Sequence, residues 1–215
     1  ISSIMNRIDE IFDDALDSAL DKCKNGKNLN MIERVALKQY YDKLCSNRYA
    51  GGKDITTISQ ADRDELIIVF ESLYFIKTKK TDNYLNGMAN DPSGAYADDV
   101  ANIKYIIYTS EEPYSSLFFK QVNKFSIKEY SQPNEHYSPS DKEVYVDLSS
   151  GRGYNDRRGP YATFFHETGH AIDDVMIKDE DNKTLDATRE DSDKLYIIAE
   201  KEVRDRILYE AEKAE

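Results

Sequence analysis

Apolar residues recur at intervals of three and four over the first quarter of the chain. Around residue 144 they switch to strict alternation. In "IDEIFDDALDSALDKC", Ile8, Ile11, Phe12, Ala15, Leu16, Ala19 and Leu20 line one stripe, which predicts an amphipathic helix. "KNGKN" breaks it, and "MIERVALKQYYDKLC" repeats the pattern through Ile32, Val35, Ala36, Tyr40 and Leu44. "RYAGGKD" reads as a loop with paired glycines. Ser59 is placed to cap a third helix whose first turn is acidic. That helix, "ADRDELIIVFESLYFIK", is apolar around much of its circumference, which predicts burial.

The signals then change. "KKTDNYLNGMANDPSGAYADDV" is rich in Asn, Asp, Gly and Pro and reads as a long loop. It places a boundary between a helical region, residues 1–81, and a second domain, residues 82–215. "IKYIIYTS" reads as a strand, "PYSSLFFKQVNKFSI" as a short helix and "EYSQPNEHYSPSDK" as a loop containing His136. In "EVYVDLSS", Val144, Val146 and Leu148 alternate with Tyr145 and Asp147, the period of a strand. "GRGYNDRRGP" is a glycine-rich turn, and Pro160 suits the first turn of the helix that follows. A polar loop, "KDEDNKTLDATRED", and a final helix, "DSDKLYIIAEKEVRDRILYEAEKAE", complete an α+β pattern.

Charge narrows the function classes. Forty-one acidic against 29 basic residues give a net charge of −12, which argues against a nucleic-acid binder, since phosphate contacts need clustered Lys and Arg. The acidic runs read as solvated helix faces. No run of 18 apolar residues is present to form a membrane-spanning helix. Cys23 and Cys45 lie on segments with helical periodicity and read as free or core thiols. The opening "ISSIMNRIDE" and the closing "ILYEAEKAE" read as cuts within a longer protein.

Two of the three histidines fall in "YATFFHETGHAIDD". On a helix, His166 and His170 share one face, one turn apart, the spacing that lets two imidazoles hold a single zinc ion. Glu167 follows the first histidine and leans toward the open side of such a site, where it can act as general base. Tyr161, Phe164 and Phe165 supply apolar anchoring for the helix. Gly169 costs roughly 1 kcal/mol of helix stability against Ala, and suits close approach of another backbone or a substrate.

"FFHETGHAIDD" resembles the active-site helix of zincin metallopeptidases, and most closely the branch of anthrax lethal factor and its relatives. There the same H-E-x-G-H core is followed by a small residue, an aliphatic residue and paired aspartates. Similar zincin-like domains occur in phage-derived structural proteins and in bacterial toxin-like proteins. The detailed resemblance covers about a dozen residues, with a weaker match from about Tyr105 onward. It implies an α+β domain whose active-site helix packs on a small mixed sheet, preceded by a helical region. It also implies Zn2+ held by His166 and His170, Glu167 as general base, and a peptide or protein substrate. "EVYVDLSS" is similar to the edge strand along which zincins lay an extended substrate, with Val144, Tyr145 and Val146 at its centre.

A catalytic zinc site of this kind takes three protein ligands. In the lethal-factor branch the third is a Glu on a later helix, roughly 45 residues past the second histidine, which falls here at the last residue, Glu215. The ligand is therefore expected beyond residue 215, in a domain truncated at its C-terminus. Within the chain, the shorter gap of other zincins favours Glu190, and Glu200 and Glu202 on the last helix remain open. Asp173 shares the face of His166 but lies roughly 10 Å along the axis, so Asp173 and Asp174 read as groups that orient a histidine or cap a neighbouring loop. The expected activity is that of a zinc metalloendopeptidase. The alternative is a structural or interaction domain, as in a phage particle, that keeps a zincin fold with little or no proteolysis.

Overall fold

A computed structural model describes residues 2–49, 55, 57–89, 95–110, 112–130, 134–148 and 161–181. Four helices come first: α1 (Ser2–Lys24), α2 (Met31–Tyr49), α3 (Gln60–Leu73) and α4 (Phe75–Ala89). Then come α5 (Ala97–Tyr108), α6 (Tyr114–Gln121), a 3-10 turn at Val122–Lys124, the strands β1 (Ser126–Glu129), β2 (His136–Ser138) and β3 (Glu143–Val146), and α7 (Ala162–Asp181). The class is α+β: mostly helical, with one small mixed sheet. The chain divides into two compact units, Ile1–Asp173 and Asp174–Glu215; of the second, the described part is the end of α7.

The first helices form where the periodicity predicts them, but Ile11, Ile32 and Val35 of the expected stripes are exposed, and α2 buries Ala36 and Leu37 instead. Asn30 and Glu33 make a reciprocal cap at the start of α2: Glu33 N–H donates to Asn30 Oδ1 (2.9 Å) and Asn30 N–H to Glu33 Oε2 (2.7 Å). The same carboxylate accepts from Lys22 Nζ (2.6 Å) and Ser18 Oγ (2.8 Å) of α1. The Lys22 ammonium and the Asn30 amide hold its pKa down at about 2. Ala19, Leu37 and Val69 are fully buried and join α1, α2 and α3. Cys23 packs against them, and neither Cys23 nor Cys45 is in a disulfide. Ser59 caps α3 as expected, its Oγ accepting from Asp62 N–H at 3.1 Å.

Several expectations are corrected. The run expected as one buried helix is two. Tyr74 leaves helical geometry (φ −127°, ψ 57°) with its ring against Phe70 at 4.8 Å, and Phe75 and Ile76 beyond it are 71% and 73% exposed. The stretch expected as a loop after residue 78 is helical as far as Ala89. Its Asn, Asp and Gly content masks a stripe of Thr81, Tyr84, Leu85 and Met88, all buried at helical spacing. The boundary drawn between residues 81 and 82 falls inside this helix. "IKYIIY", expected as a strand, belongs to α5, where Val100, Ile103 and Ile107 fall on one buried face. Its β-branched content suggested a strand, but the period read together with the preceding "ADDVAN" is that of a helix, and packing decides.

Gly87 shows how closely α4 meets the sheet. A Cβ at this position would lie 2.9 Å from the carbonyl oxygen of Ile127 in β1. Gly87→Ala is therefore expected to destabilise the fold by about 1–3 kcal/mol despite alanine's better helix propensity. Urea denaturation checks this; a neutral or stabilising change would mean that α4 and β1 separate freely.

The sheet order is β1-β3-β2, with β1 parallel and β2 antiparallel to β3. Glu143–Val146 is a strand, as its alternation predicts, with Val144 and Val146 buried. It is not an edge strand, however. Val144 pairs with Ile127 on one side and Tyr137 on the other, and Tyr145 with Lys128 and His136, so both are engaged on both sides, while Val146 pairs with Glu129 of β1. Among the described residues the edges are β1 and β2, and β2 lies within the stretch expected as a loop. Tyr84 links the layers, its ring at 5.3 Å from Phe125, 6.0 Å from Phe118 and 6.1 Å from Phe164 of α7.

Candidate metal centre

Helix α7 has a buried face and an open one. Phe164, Thr168 and Ala171 are buried, and the Thr168 hydroxyl shares a 2.9 Å hydrogen bond with the Tyr84 hydroxyl. Burial pushes the Tyr84 pKa up, so this group stays protonated. His166 and His170 lie on the open face, and the His166 side chain is 57% exposed. Tyr161 is buried at the residue before α7, where its carbonyl accepts from Phe165 N–H at 3.1 Å and starts the helix. The glycine-rich turn and Pro160 lie outside the described residues.

The i, i+4 spacing brings the two Nε2 atoms to 3.0 Å, with the rings 4.5 Å apart and 82° to one another. Neutral imidazoles hold that distance when one nitrogen donates to the other, and two bare nitrogens hold it when they share a cation. Tetrahedral zinc with bonds of about 2.0–2.1 Å sets two ligand nitrogens about 3.3 Å apart, so the pair fits zinc with a shift of a few tenths of an ångström. Among the described residues, no group of three His, Cys, Asp or Glu is arranged to hold a metal ion. Glu190, Glu200, Glu202 and Glu215 all lie outside the described residues.

Glu167 turns from the open face toward the sheet. Its Oε1 is 3.9 Å from His166 Nε2, and its Oε2 accepts a 2.8 Å hydrogen bond from the backbone N–H of Tyr137. Tyr137 is the middle residue of β2, and this N–H points out of the sheet edge rather than into the ladder with β3. The strand beside the carboxylate is thus β2. The sequence gives little sign of this contact, because a backbone N–H is available from almost any residue type.

Asp173 is on the next turn of the open face. Burial pushes its pKa up, and the nearby His170 opposes that. It stands at the rim of an apolar groove of about 530 Å³ on the flank of α7, with Phe165, Gly169 and Ile172 on one wall and Ile106, Leu117 and Phe118 among the others. A side chain at Gly169 would meet nothing within 4 Å. Asp174 belongs to the second unit. His136 is in β2 rather than a loop; its Nδ1 is 2.9 Å from the Asn134 carbonyl and its ring is stacked on Tyr145 at 5.0 Å. No protein-family model, curated protein or solved structure matches the chain.

Proposed function

We propose that this chain carries the active-site helix of a zincin-like zinc metalloendopeptidase. The observation that supports this most is the pairing of His166 and His170 at 3.0 Å on an open helix face, with Glu167 between them in sequence and turned to a strand edge. His166 and His170 would hold zinc together with a third ligand from outside the described residues. A zinc ion held there supplies Lewis acidity, which polarises a carbonyl and makes water more acidic. Glu167 takes a proton from the attacking water and delivers it to the leaving amine. Its bond to Tyr137 N–H fixes the carboxylate while leaving Oε1 toward His166. An extended peptide would lie beside β2, next to the Glu167 carboxylate.

The alternative is a structural domain that keeps the fold without proteolysis. It is favoured by one observation, the absence of a third ligand beside the histidine pair among the described residues. Zinc titration of the chain against a competing chelator addresses the site directly. Tight binding of one ion, lost on His166→Ala, is expected if Glu190, Glu200 or Glu202 completes the set. Weak binding that becomes tight in a chain extended past Glu215 is expected if the ligand lies further on. No binding by either chain would overturn the proposal.

A further inference from the structure

Tyr161 adopts φ 58°, in the left-handed region, which costs a bulky residue on the order of 1–3 kcal/mol and persists only where the surroundings over-determine it. Those surroundings are a polar chain, part-buried at Asn102 and buried at Asp99. Arg63 Nη1 of α3 donates to Asn102 Oδ1 of α5 at 2.7 Å, and Asn102 Nδ2 donates to the Tyr161 hydroxyl at 3.0 Å. That hydroxyl donates to Asp99 Oδ1 at 2.8 Å, and Asp99 is 1% exposed. Helix α5 is itself tied to its neighbours by Lys104, which pairs with Glu71 of α3 at 2.9 Å and Asp82 of α4 at 2.6 Å. Tyr161 therefore indexes the start of α7 against a fixed helix, five residues and about 7.5 Å of rise before His166. Were the position a simple stop in the chain, Gly or Asn would accept this backbone with less strain.

We propose that Tyr161 is a positioning residue. Through the Asp99–Tyr161–Asn102 bonds it sets where α7 begins, so that the Glu167 carboxylate meets Tyr137 N–H and the histidine pair faces outward. The zinc readout below rests on the metal-site reading; the amide readout does not.

The test compares Tyr161→Phe, Asp99→Asn and the unaltered chain by amide hydrogen exchange resolved at Tyr137, zinc affinity by chelator competition, and thermal unfolding. Tyr161→Phe keeps the ring but removes the hydroxyl shared by Asp99 and Asn102. In the folded variant, exchange at Tyr137 is expected to be about tenfold faster relative to the β3 ladder amides, with zinc affinity about tenfold weaker, the lower end for loss of a supporting contact. Asp99→Asn retains an acceptor for the hydroxyl and should stay close to the unaltered chain on both readouts. Unchanged exchange at Tyr137, or acceleration equal to that of the β3 amides through general loss of stability, would overturn the proposal. If Tyr161→Phe does not fold, Asn102→Ala, which removes the donor to the Tyr161 hydroxyl together with the acceptor for Arg63, decides by the same comparison. If the unaltered protein binds no zinc, the metal-site reading fails while the Tyr137 comparison still stands.

Discussion

On the proposed peptidase reading, Glu167→Gln is expected to lower kcat for peptide hydrolysis by about 10²–10⁴-fold while leaving zinc affinity nearly unchanged. The substitution is close to isosteric. The amide oxygen of Gln can still accept from Tyr137 N–H, a bond of 2.8 Å in the native chain, so β2 and α7 stay in place. What disappears is the capacity to accept a proton from water, and the effect should therefore fall on kcat rather than KM. A fluorogenic peptide library and a parallel zinc titration separate the two quantities. Hydrolysis retained at the native rate would remove Glu167 from the role of base. Loss of zinc affinity together with activity would show that the residue mainly supports the histidine pair. An assembly or scaffolding role, by contrast, should be indifferent to the change.

The largest effect on stability is expected in the aromatic cluster around Phe70. Phe70→Ala should cost about 3–5 kcal/mol, measured as a shift of the urea midpoint at unchanged m-value. Phe70 is 3% exposed, and its ring is stacked on Tyr108 with centroids 3.9 Å apart and planes 9° from parallel. Tyr74 at 4.8 Å, Tyr41 at 5.8 Å and Phe119 at 6.0 Å surround it. One side chain of α3 thus holds α2, α5, α6 and the Tyr74 break together. Its removal leaves a cavity whose aromatic walls cannot close without moving several helices. Against a typical total of about 5–15 kcal/mol, the loss would leave much of the chain near its unfolding threshold at ordinary temperature. A cost below about 1 kcal/mol would mean that the aromatic cluster repacks, and that this junction does not hold the helices in place.

These two sites sit at opposite ends of what the sequence makes visible. The helices α1, α2 and α3, the Ser59 cap and strand β3 are legible because each rests on local periodicity or on a side chain bonding within its own turn. The histidine pair is legible for the same reason: i, i+4 spacing on one helix puts both rings on one face, within reach of the 3.0 Å approach observed. Three features needed the tertiary structure. Helix α4 hides its stripe among Asn, Asp and Gly, and Gly87 is explained only by the Ile127 carbonyl, 40 positions away in the sequence. Helix α5 carries β-branched residues whose local preference is outweighed by packing. The strand beside Glu167 is β2 rather than β3, because pairing order is set by which edges remain after the ladders form, and no single strand's alternation encodes that order. The sequence by itself determined the chemistry offered on α7: two imidazoles and a carboxylate at fixed helical intervals. Only the tertiary structure decided what that carboxylate faces and how the helix is held, because a backbone N–H and a buried tyrosine hydroxyl act through distances that local sequence does not set.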